Sequence, residues 1–406
     1  MRGKSSIPFS GILVILIVML FGSTVHAQQP EAVLYSFDRN SGEGYDPQTG
    51  GLVSDAAGNL YGTTYFGGAY NQGTVFELIP APDGDSTEIT LHSFGLGTDG
   101  FGPVAGLIFD SAGNLYGTTY LGGEGGGGTV FELTPNGDGT WTETTLYSFY
   151  QDGVRPLGRL TFDAAGNLYG TTYAGGAQSY GTVFALTPNG SGGWTYAVLH
   201  SFGLDDGAGP EAGLTFDAAG NLYGTTTYGG NGNAGTVFEL TPEAGGGWSY
   251  EVLYRFSADG FYPVTDLIFD RAGNMYGTTL LGGSGDCGTV FGLRPKAGGD
   301  WTEGVVHNFS GGSDDGCIPE GDVTFDDAGH LYGTTGAGGA YGYGTVFGMK
   351  PKVGGGGPEV LLHSFKKNFK DGVEPEAGLI FDRGWLVGTT IHGGRHGFGT
   401  VFALKP

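Results

Sequence analysis

The feature that most constrains the fold of this chain is an internal repeat. The eleven residues FDAAGNLYGTT stand at Phe162–Thr172 and again, letter for letter, at Phe216–Thr226. Successive copies of the motif aspartate are separated by 55, 53, 54, 53, 56 and 56 residues. The seven aspartates are Asp55, Asp110, Asp163, Asp217, Asp270, Asp326 and Asp382. A regular repeat of this length indicates units that bury their surfaces against their neighbours.

Three further signals recur with the aspartate and keep the same order. A GTVF segment ends at a proline, an LYSF-like or LHSF-like segment follows it, and a DGxxP turn leads into the next unit. Each unit therefore predicts four short strands, of the types GLTFD, NLYGTTY, GTVFELTP and TETTLYSF. Their aromatic and β-branched residues, bounded by Gly, Asn, Asp and Pro, are typical of strands. In the DAAGN joint, Asp163 can accept backbone N–H groups, and Gly166 and Asn167 tolerate positive φ, so a tight hairpin is expected.

The strands are apolar on both sides, and this pattern favours a propeller. Leu222 and Tyr223 are neighbours in one strand and must point to opposite faces of the sheet. A two-sheet sandwich would leave one face wet, whereas small sheets stacked around an axis cover both faces. We predict an all-β fold in which residues 28–406 form one domain, a seven-bladed β-propeller of four-stranded blades with repeats of about 54 residues.

The two ends of the chain predict how the ring closes. The segment AVLYSF at Ala32–Phe37 is a fourth strand without a unit before it, and GTVFALKP at the C-terminus is a third strand without a fourth. We expect the N-terminal strand to complete the last blade, because this pairing removes the exposed edges of an open ring.

Residues 1–27 have the layout of a signal peptide. Arg2 and Lys4 precede an apolar run from Gly11 to Phe21, and the small residue Ala27 follows a polar stretch. The run is short for a membrane span, although an uncleaved N-terminal anchor is the alternative. We therefore expect a secreted, periplasmic or extracellular protein whose mature chain has no membrane span.

Charge and composition narrow the set of partners. The formal net charge of −24 repels nucleic acid and anionic lipid, so neither is expected as a partner.

The composition also bears on whether the chain folds. The 86 glycines and 18 prolines would suggest disorder in a chain without a repeat, but an aromatic content of 13% argues against disorder.

The units GLTFDAAGNLYGTTTYGG…GTVFELTP resemble the GloVer (Gloeobacter–Verrucomicrobia) tandem repeat of exported bacterial proteins over essentially all of residues 32–406. The hairpin is distantly similar to that of NHL propeller repeats. The resemblance implies an extracytoplasmic protein and places no catalytic residue. Many members end in a sorting or anchoring tail. Because this chain ends at Pro406 without one, free release or periplasmic retention is expected.

No cofactor or metal site is predicted. The GxGxxG match at Gly123–Gly128 leads into a strand, so it lacks the helix N-terminus that binds a dinucleotide. His392 and His396 are separated by glycines that disfavour a helical zinc pair. Cys287 and Cys317 are predicted to form a disulfide, because their loops should emerge on one face of the propeller; two free thiols are the alternative.

Candidate ligand-binding residues lie in the DGxxP turns and in the last unit. The turn aspartates are expected on one face beside the channel mouth, where a ring of carboxylates could hold Ca²⁺ or simply cap the turns. Three other charged residues on the same side vary from unit to unit. The last unit departs most from the repeat and adds two cationic side chains, which either bind a ligand or adapt the closing blade. The candidates are Asp152, Arg155, Asp206, Glu211, Asp259, Glu320, Arg395 and His396.

The resulting functional hypothesis is a secreted binding or scaffold module for a glycan or a peptide. The alternative is an extracellular polysaccharide-active hydrolase or lyase, which would need a carboxylate pair at the channel mouth with one raised pKa. An enzyme should break the repeat with unique acid and base residues. The uniformity of the units favours binding, and the sequence leaves the oligomeric state open.

Overall fold

A computed structural model describes residues 31–81, 86–296, 300–355 and 359–406 of the chain. The predicted signal peptide, residues 1–27, lies outside these described residues. Seven four-stranded antiparallel sheets follow one another along the described chain. The predicted all-β propeller of seven blades is therefore confirmed.

Each of the first six blades is built from four strands that are consecutive along the chain, apart from short loop pairings. The strands of blades 1 to 3 are Val53–Ser54, Leu60–Thr64, Thr74–Ile79 and Thr87–Ser93; Ile108–Phe109, Leu115–Thr119, Thr129–Pro135 and Trp141–Ser148; and Thr161–Phe162, Leu168–Thr172, Thr182–Pro188 and Trp194–Ser201. Those of blades 4 to 6 are Thr215–Phe216, Leu222–Thr226, Thr236–Pro242 and Trp248–Arg255; Ile268–Phe269, Met275–Thr279, Thr289–Pro295 and Trp301–Asn308; and Thr324–Phe325, Leu331–Thr335, Thr345–Met349 and Val360–Ser364.

Blade 7 closes the ring with a strand from the other end of the chain. Its strands are Ile380–Asp382, Trp385–Thr390, Thr400–Leu404 and the N-terminal Ala32–Ser36. The N-terminal strand pairs antiparallel with the third strand, for example Val33 with Phe402. The predicted closure is thus confirmed, and it covers an edge that would otherwise offer unpaired backbone groups.

The hydrophobic core lies between neighbouring blades rather than inside any one of them. Leu222 of blade 4 packs with residues of blade 3, including Phe202, whereas the adjacent Tyr223 packs with Phe256 and Phe291 on the other side. The alternation of side chains along one strand thus supplies both blade interfaces. This arrangement explains why both residues of the pair are large and apolar.

The DAAGN joint forms the expected hairpin through its aspartate. Asp163 Oδ1 accepts N–H bonds of 2.9 Å from both Ala165 and Asn167, and Oδ2 accepts bonds from the Asn167 side chain at 2.7 Å and the Tyr169 hydroxyl at 3.0 Å. Only the glycine, Gly166, takes a positive φ in this turn, at 83°. Four bonds to one carboxylate explain why the motif is reused.

Short pairings and one helical turn complete the described chain. The two-residue strands are Gly44–Tyr45 with Phe66–Gly67, Gly100–Phe101 with Leu121–Gly122, Gly316–Cys317 with Ala337–Gly338, and Gly372–Val373 with His392–Gly393. A 3₁₀ turn at Asn231–Asn233 is the single helical element of the described residues. Within those residues, no helix has the length and apolar character needed to cross a membrane.

Candidate ligand-binding face

The DGxxP turns and the loops between the second and third strands form one face of the ring, here called the upper face. In each blade the turn pairs with the loop, as in the bridge between Val154 and Ala174. The residue before every turn proline has a φ between 58° and 65°. These residues are Asp46, Gly102, Arg155, Gly209, Tyr262, Ile318 and Glu374.

Five of these seven pre-proline residues are not glycine. A left-handed residue other than glycine costs on the order of 1 kcal/mol, and a following proline normally favours extended backbone instead. The fold therefore tolerates strain at the same place in five of the seven blades. The side chains carried there differ between blades, so one backbone conformation presents different chemistry around the ring.

The turn aspartates are engaged within their own turns. Asp206 Oδ2 lies 3.1 Å from His200 Nε2, and Oδ1 accepts a 2.7 Å bond from the Gly203 N–H. Asp152 and Asp259 accept a tyrosine hydroxyl in place of the histidine. The structure thus places three of the candidate carboxylates at the fourth-strand end of the turn, where they cap backbone and side-chain donors.

Two other candidates, Glu211 and Glu320, lie on the axis of the ring. Together with Glu376 they line a central cavity of about 180 Å³. All three directly follow a turn proline, which is the position where the chain enters the first, innermost strand of its blade. Repeats that are far apart in the sequence thus bring three carboxylates together.

The same cavity holds an ion pair two positions further along the turns. Arg159 Nη2 lies 3.0 Å from Asp266 Oδ2, and the backbone N–H of Asp266 donates a 2.7 Å bond to Asp322 Oδ1. Burial and the negative charge of Asp266 raise the pKa of Asp322, while Arg159 opposes the rise. One arginine therefore faces two carboxyls in a confined space.

Glu320 and Glu376 are both carboxyls of the cavity wall. Burial and the negative charges of Glu320 and Glu374 raise the pKa of Glu376 to about 8, so Glu376 is mostly protonated at neutral pH. Gly336 borders this pair, because a Cβ there would be in van der Waals contact with Glu320 Oε2 at 3.4 Å. The residues at the Gly336 position of the other blades are Tyr65, Tyr120, Tyr173, Thr227, Leu280 and Ile391.

Aromatic rings surround the opposite side of the cavity mouth. Tyr65, Tyr120 and Tyr173 line a depression of about 630 Å³ that also includes Arg155 and Glu211. The Arg155 guanidinium lies 5.5 Å from the centre of the Tyr120 ring, a distance that fits a cation–π contact. The upper face is therefore aromatic over blades 1 to 3 and acidic over blades 6 and 7.

Arg395 and His396 lie elsewhere, in the loop of blade 7 that meets the closing strand. The Arg395 N–H donates a 3.2 Å bond to Ser36 Oγ, and His396 Nδ1 lies 3.5 Å from Asp38 Oδ2. The structure does not bring them together with Arg155, Glu211 and Glu320. Their contacts instead connect blade 7 with the N-terminal strand.

Cys287 and Cys317 are joined by a disulfide. It links the loop between the second and third strands of blade 5 to the turn that enters blade 6. The Ile318 N–H also donates a 2.9 Å bond to the Cys287 carbonyl, so the crosslink and a backbone bond connect the same two segments of the upper face.

Comparison with known families gives a direct match. A model of the Gloeobacter/Verrucomicrobia repeat matches residues 48–291 and 247–406. The chain belongs to this repeat family. Among proteins with curated functions, none matches the sequence. The matched region contains every residue of the upper-face cavity, which is therefore built from family repeats and from departures within them.

Several residues of this Gloeobacter/Verrucomicrobia repeat protein that line the upper face were not among the sequence candidates. They are Tyr65, Tyr120, Arg159, Tyr173, Asp266, Asp322 and Glu376. A usable signal was present, since each stands at one of three repeat positions whose residue varies from unit to unit. These positions are the residues one and three after the turn proline and the residue after GTT.

Proposed function

We propose that this protein is an exported glycan-binding module whose ligand lies across the mouth of the central cavity on the upper face. The observation that supports this proposal is the arc of Tyr65, Tyr120 and Tyr173 beside Arg155 and Glu211. Tyrosine rings offer apolar faces to sugar rings, and the charged groups bind hydroxyls and fix orientation. The acidic half of the mouth favours a neutral or amino-bearing glycan over an acidic one.

The carboxyl pair at the cavity wall can take part in binding. Burial and the negative charge of Glu320 raise the pKa of Glu376 to about 8, so Glu376 is mostly protonated at neutral pH. Glu376 can therefore donate a hydrogen bond to a ligand hydroxyl, and the carboxyl oxygens of Glu320 can accept one. A hydrolase would use the same protonated carboxyl as its general acid, so turnover has to be measured beside binding.

A glycan array, run beside a peptide array, tests the proposal. Variants Tyr120→Ala and Tyr173→Ala should weaken binding of the best glycan at least tenfold, which corresponds to about 1.4 kcal/mol. Tyr341→Ala is the matched control, because Tyr341 is exposed in another upper-face loop and does not line the depression.

The outcomes separate the possible classes of ligand. Capture of peptides without glycans, or glycan binding that both tyrosine variants leave unchanged, would contradict the proposed function. Release of reducing sugar from the bound glycan, lost in Glu376→Gln, would replace the binding module by an enzyme.

A further inference from the structure

Three positions meet at every interface between neighbouring blades. The first is a tyrosine or histidine near the end of a fourth strand, and the second is the acid of the turn that follows it. The third lies four residues before the equivalent tyrosine or histidine in the next blade. These interface triads are Tyr35–Glu43–Glu88, His92–Asp99–Glu143, Tyr147–Asp152–Tyr196, His200–Asp206–Tyr250, Tyr254–Asp259–Glu303, His307–Asp315–Glu359 and His363–Asp371–Glu31.

Two triads have a tyrosine at their third position, and its hydroxyl donates to the backbone carbonyl of the turn aspartate, Tyr250 to Asp206 at 2.7 Å and Tyr196 to Asp152 at 3.4 Å. Tyr250 stacks on His200 with ring centres 3.8 Å apart, and Tyr196 stacks on Tyr147 at 4.1 Å. These interfaces show that the fold needs no second carboxylate here. A glutamate at the third position is thus a departure that the scaffold does not require.

Two triads place an imidazole nitrogen between two carboxylates. His307 Nε2 lies 3.2 Å from Asp315 Oδ1 and 3.1 Å from Glu359 Oε2. In the next interface, His363 Nε2 lies 3.3 Å from both Asp371 Oδ1 and Glu31 Oε2. Each set of three ligand atoms lies within 4.8 Å.

The hydrogen-bonding capacity of these triads is incomplete. A single Nε2–H group can point to only one acceptor, yet two carboxylate oxygens are equally near. The second oxygens, Glu31 Oε1 and Glu359 Oε1, are buried without a hydrogen-bond partner among the described residues. The two glutamate side chains are only 5% and 7% exposed, so water does not readily compensate for the missing bonds.

We propose that these two triads are zinc sites, each holding one divalent ion between adjacent blades. Zinc binds imidazole nitrogen and carboxylate oxygen at about 2.0–2.2 Å in tetrahedral geometry, which sets neighbouring ligand atoms about 3.3 Å apart. The nitrogen–oxygen distances of 3.1 to 3.3 Å match this spacing. A water would complete the fourth position.

Other cations fit less well. Calcium needs six to eight oxygen ligands at longer distances, and these triads offer one nitrogen and two carboxylates.

One further triad has the same residue types without the same contacts. In the triad of His92, Glu143 accepts a 3.1 Å bond from Thr145 within its own strand. The spacing therefore selects two interfaces of the seven.

The position of the sites indicates what the metal does. One site joins blade 5 to blade 6 through Glu359, which directly precedes a fourth strand. The other joins blade 6 to Glu31, which directly precedes the closing strand Ala32–Ser36. Bound zinc would thus hold the closing strand to its neighbouring blade as well as to its own.

Zinc analysis of the full chain tests this proposal. The protein is stripped with a chelator, dialysed and incubated with zinc alone, and the bound metal is measured together with Tm. We expect two ions per chain and a Tm rise of at least about 3 °C. His307→Gln and His363→Gln should each remove one ion, whereas the matched control His200→Gln should remove none.

Loss of folding is separated from loss of metal by a second pair of variants. Glu359→Gln and Glu31→Gln keep the side-chain shape, and circular dichroism verifies the fold before the metal is counted. Each should also remove one ion. A chain that binds no zinc, or whose two ions persist in all four variants, would overturn the proposal. The nitrogen would then carry a proton shared with the carboxylates.

Discussion

At the scale of single residues, the hairpin aspartate holds its turn together through several hydrogen bonds, although the turn lies at the surface. Asp163 accepts four hydrogen bonds, and the same bonds to the asparagine and tyrosine recur at Asp110, Asp217 and Asp270. His330 replaces the asparagine in blade 6 and keeps the contact through Nδ1, 2.8 Å from Asp326 Oδ2. The hairpin therefore keeps a side-chain hydrogen-bond donor at this position, whether the residue is asparagine or histidine.

We expect Asp163→Ala to lower the free energy of unfolding by about 2 kcal/mol, because three partly buried donors lose a charged acceptor. Chemical denaturation followed by tryptophan fluorescence measures the change. Asp205→Ala is the control, since Asp205 is exposed in a turn and should change stability by less than about 0.5 kcal/mol. Equal effects of the two variants would show that the hairpin bonds contribute little.

At the scale of elements, the closing strand is fastened by packing as well as by pairing. Phe37, at its end, is fully buried with its ring 5.3 Å from that of Phe76 in blade 1. The last hairpin contributes to the same contact between blade 7 and blade 1, here called the seam. It is one residue shorter than the others, and its Arg383 donates bonds of 2.8 and 2.9 Å to the carbonyls of Ala56 and Ala57 in blade 1. The departure of the last unit therefore has a structural role at the seam.

Phe37→Ala should destabilise the protein by about 3–5 kcal/mol, the range for deleting a buried aromatic side chain. Phe369→Ala is the matched control, because Phe369 is 83% exposed. Thermal unfolding compares the two. Similar Tm values for both variants would mean that the seam adds little to the stability of the ring.

Deleting residues 32–36 tests the closure itself. The deletion exposes the edge of Thr400–Leu404, so we expect a large fall in Tm and a concentration-dependent tendency to aggregate. Light scattering during the thermal scan measures both. An unchanged melting curve would contradict the contribution of closure to stability.

At the scale of the whole molecule, an acidic chain keeps several carboxyls buried between its blades. Burial and the charge of Glu43 raise the pKa of Glu88 to about 7, and burial and the charge of Asp259 do the same for Glu303. An unfolded glutamate titrates near 4.3, so between about pH 4.3 and 7 the folded state holds more protons than the unfolded state. These two groups therefore make stability fall as the pH rises through this window.

The Glu88→Gln/Glu303→Gln protein should show a smaller fall in Tm between pH 5 and pH 8 than the wild type, because glutamine mimics the protonated form. Glu124→Gln/Glu243→Gln is the control, since it removes the same charge from exposed positions. Tm measured at intervals of pH gives both slopes. If Tm fell equally with pH in the two double variants, the fall in Tm would be an effect of net charge alone.

The sequence by itself determined the repeat unit, the four strands, the hairpin and the closure of the ring. All of these follow from local spacing and alternation, since a strand with two apolar faces must be covered on both sides. The upper-face turns were also readable, because Asp–Gly and proline mark them.

Only the tertiary structure decided which side chains meet at the axis and between blades. Glu320 and Glu376 stand 56 residues apart in the sequence, and Arg159 and Asp266 stand 107 apart, so no local pattern joins them. The turn aspartates were expected at the channel mouth but instead bind the tyrosine or histidine of the preceding strand. That choice depends on the curvature of the ring, which brings the residues one and three after the turn proline to the central cavity and leaves the acid of the turn at the blade interface.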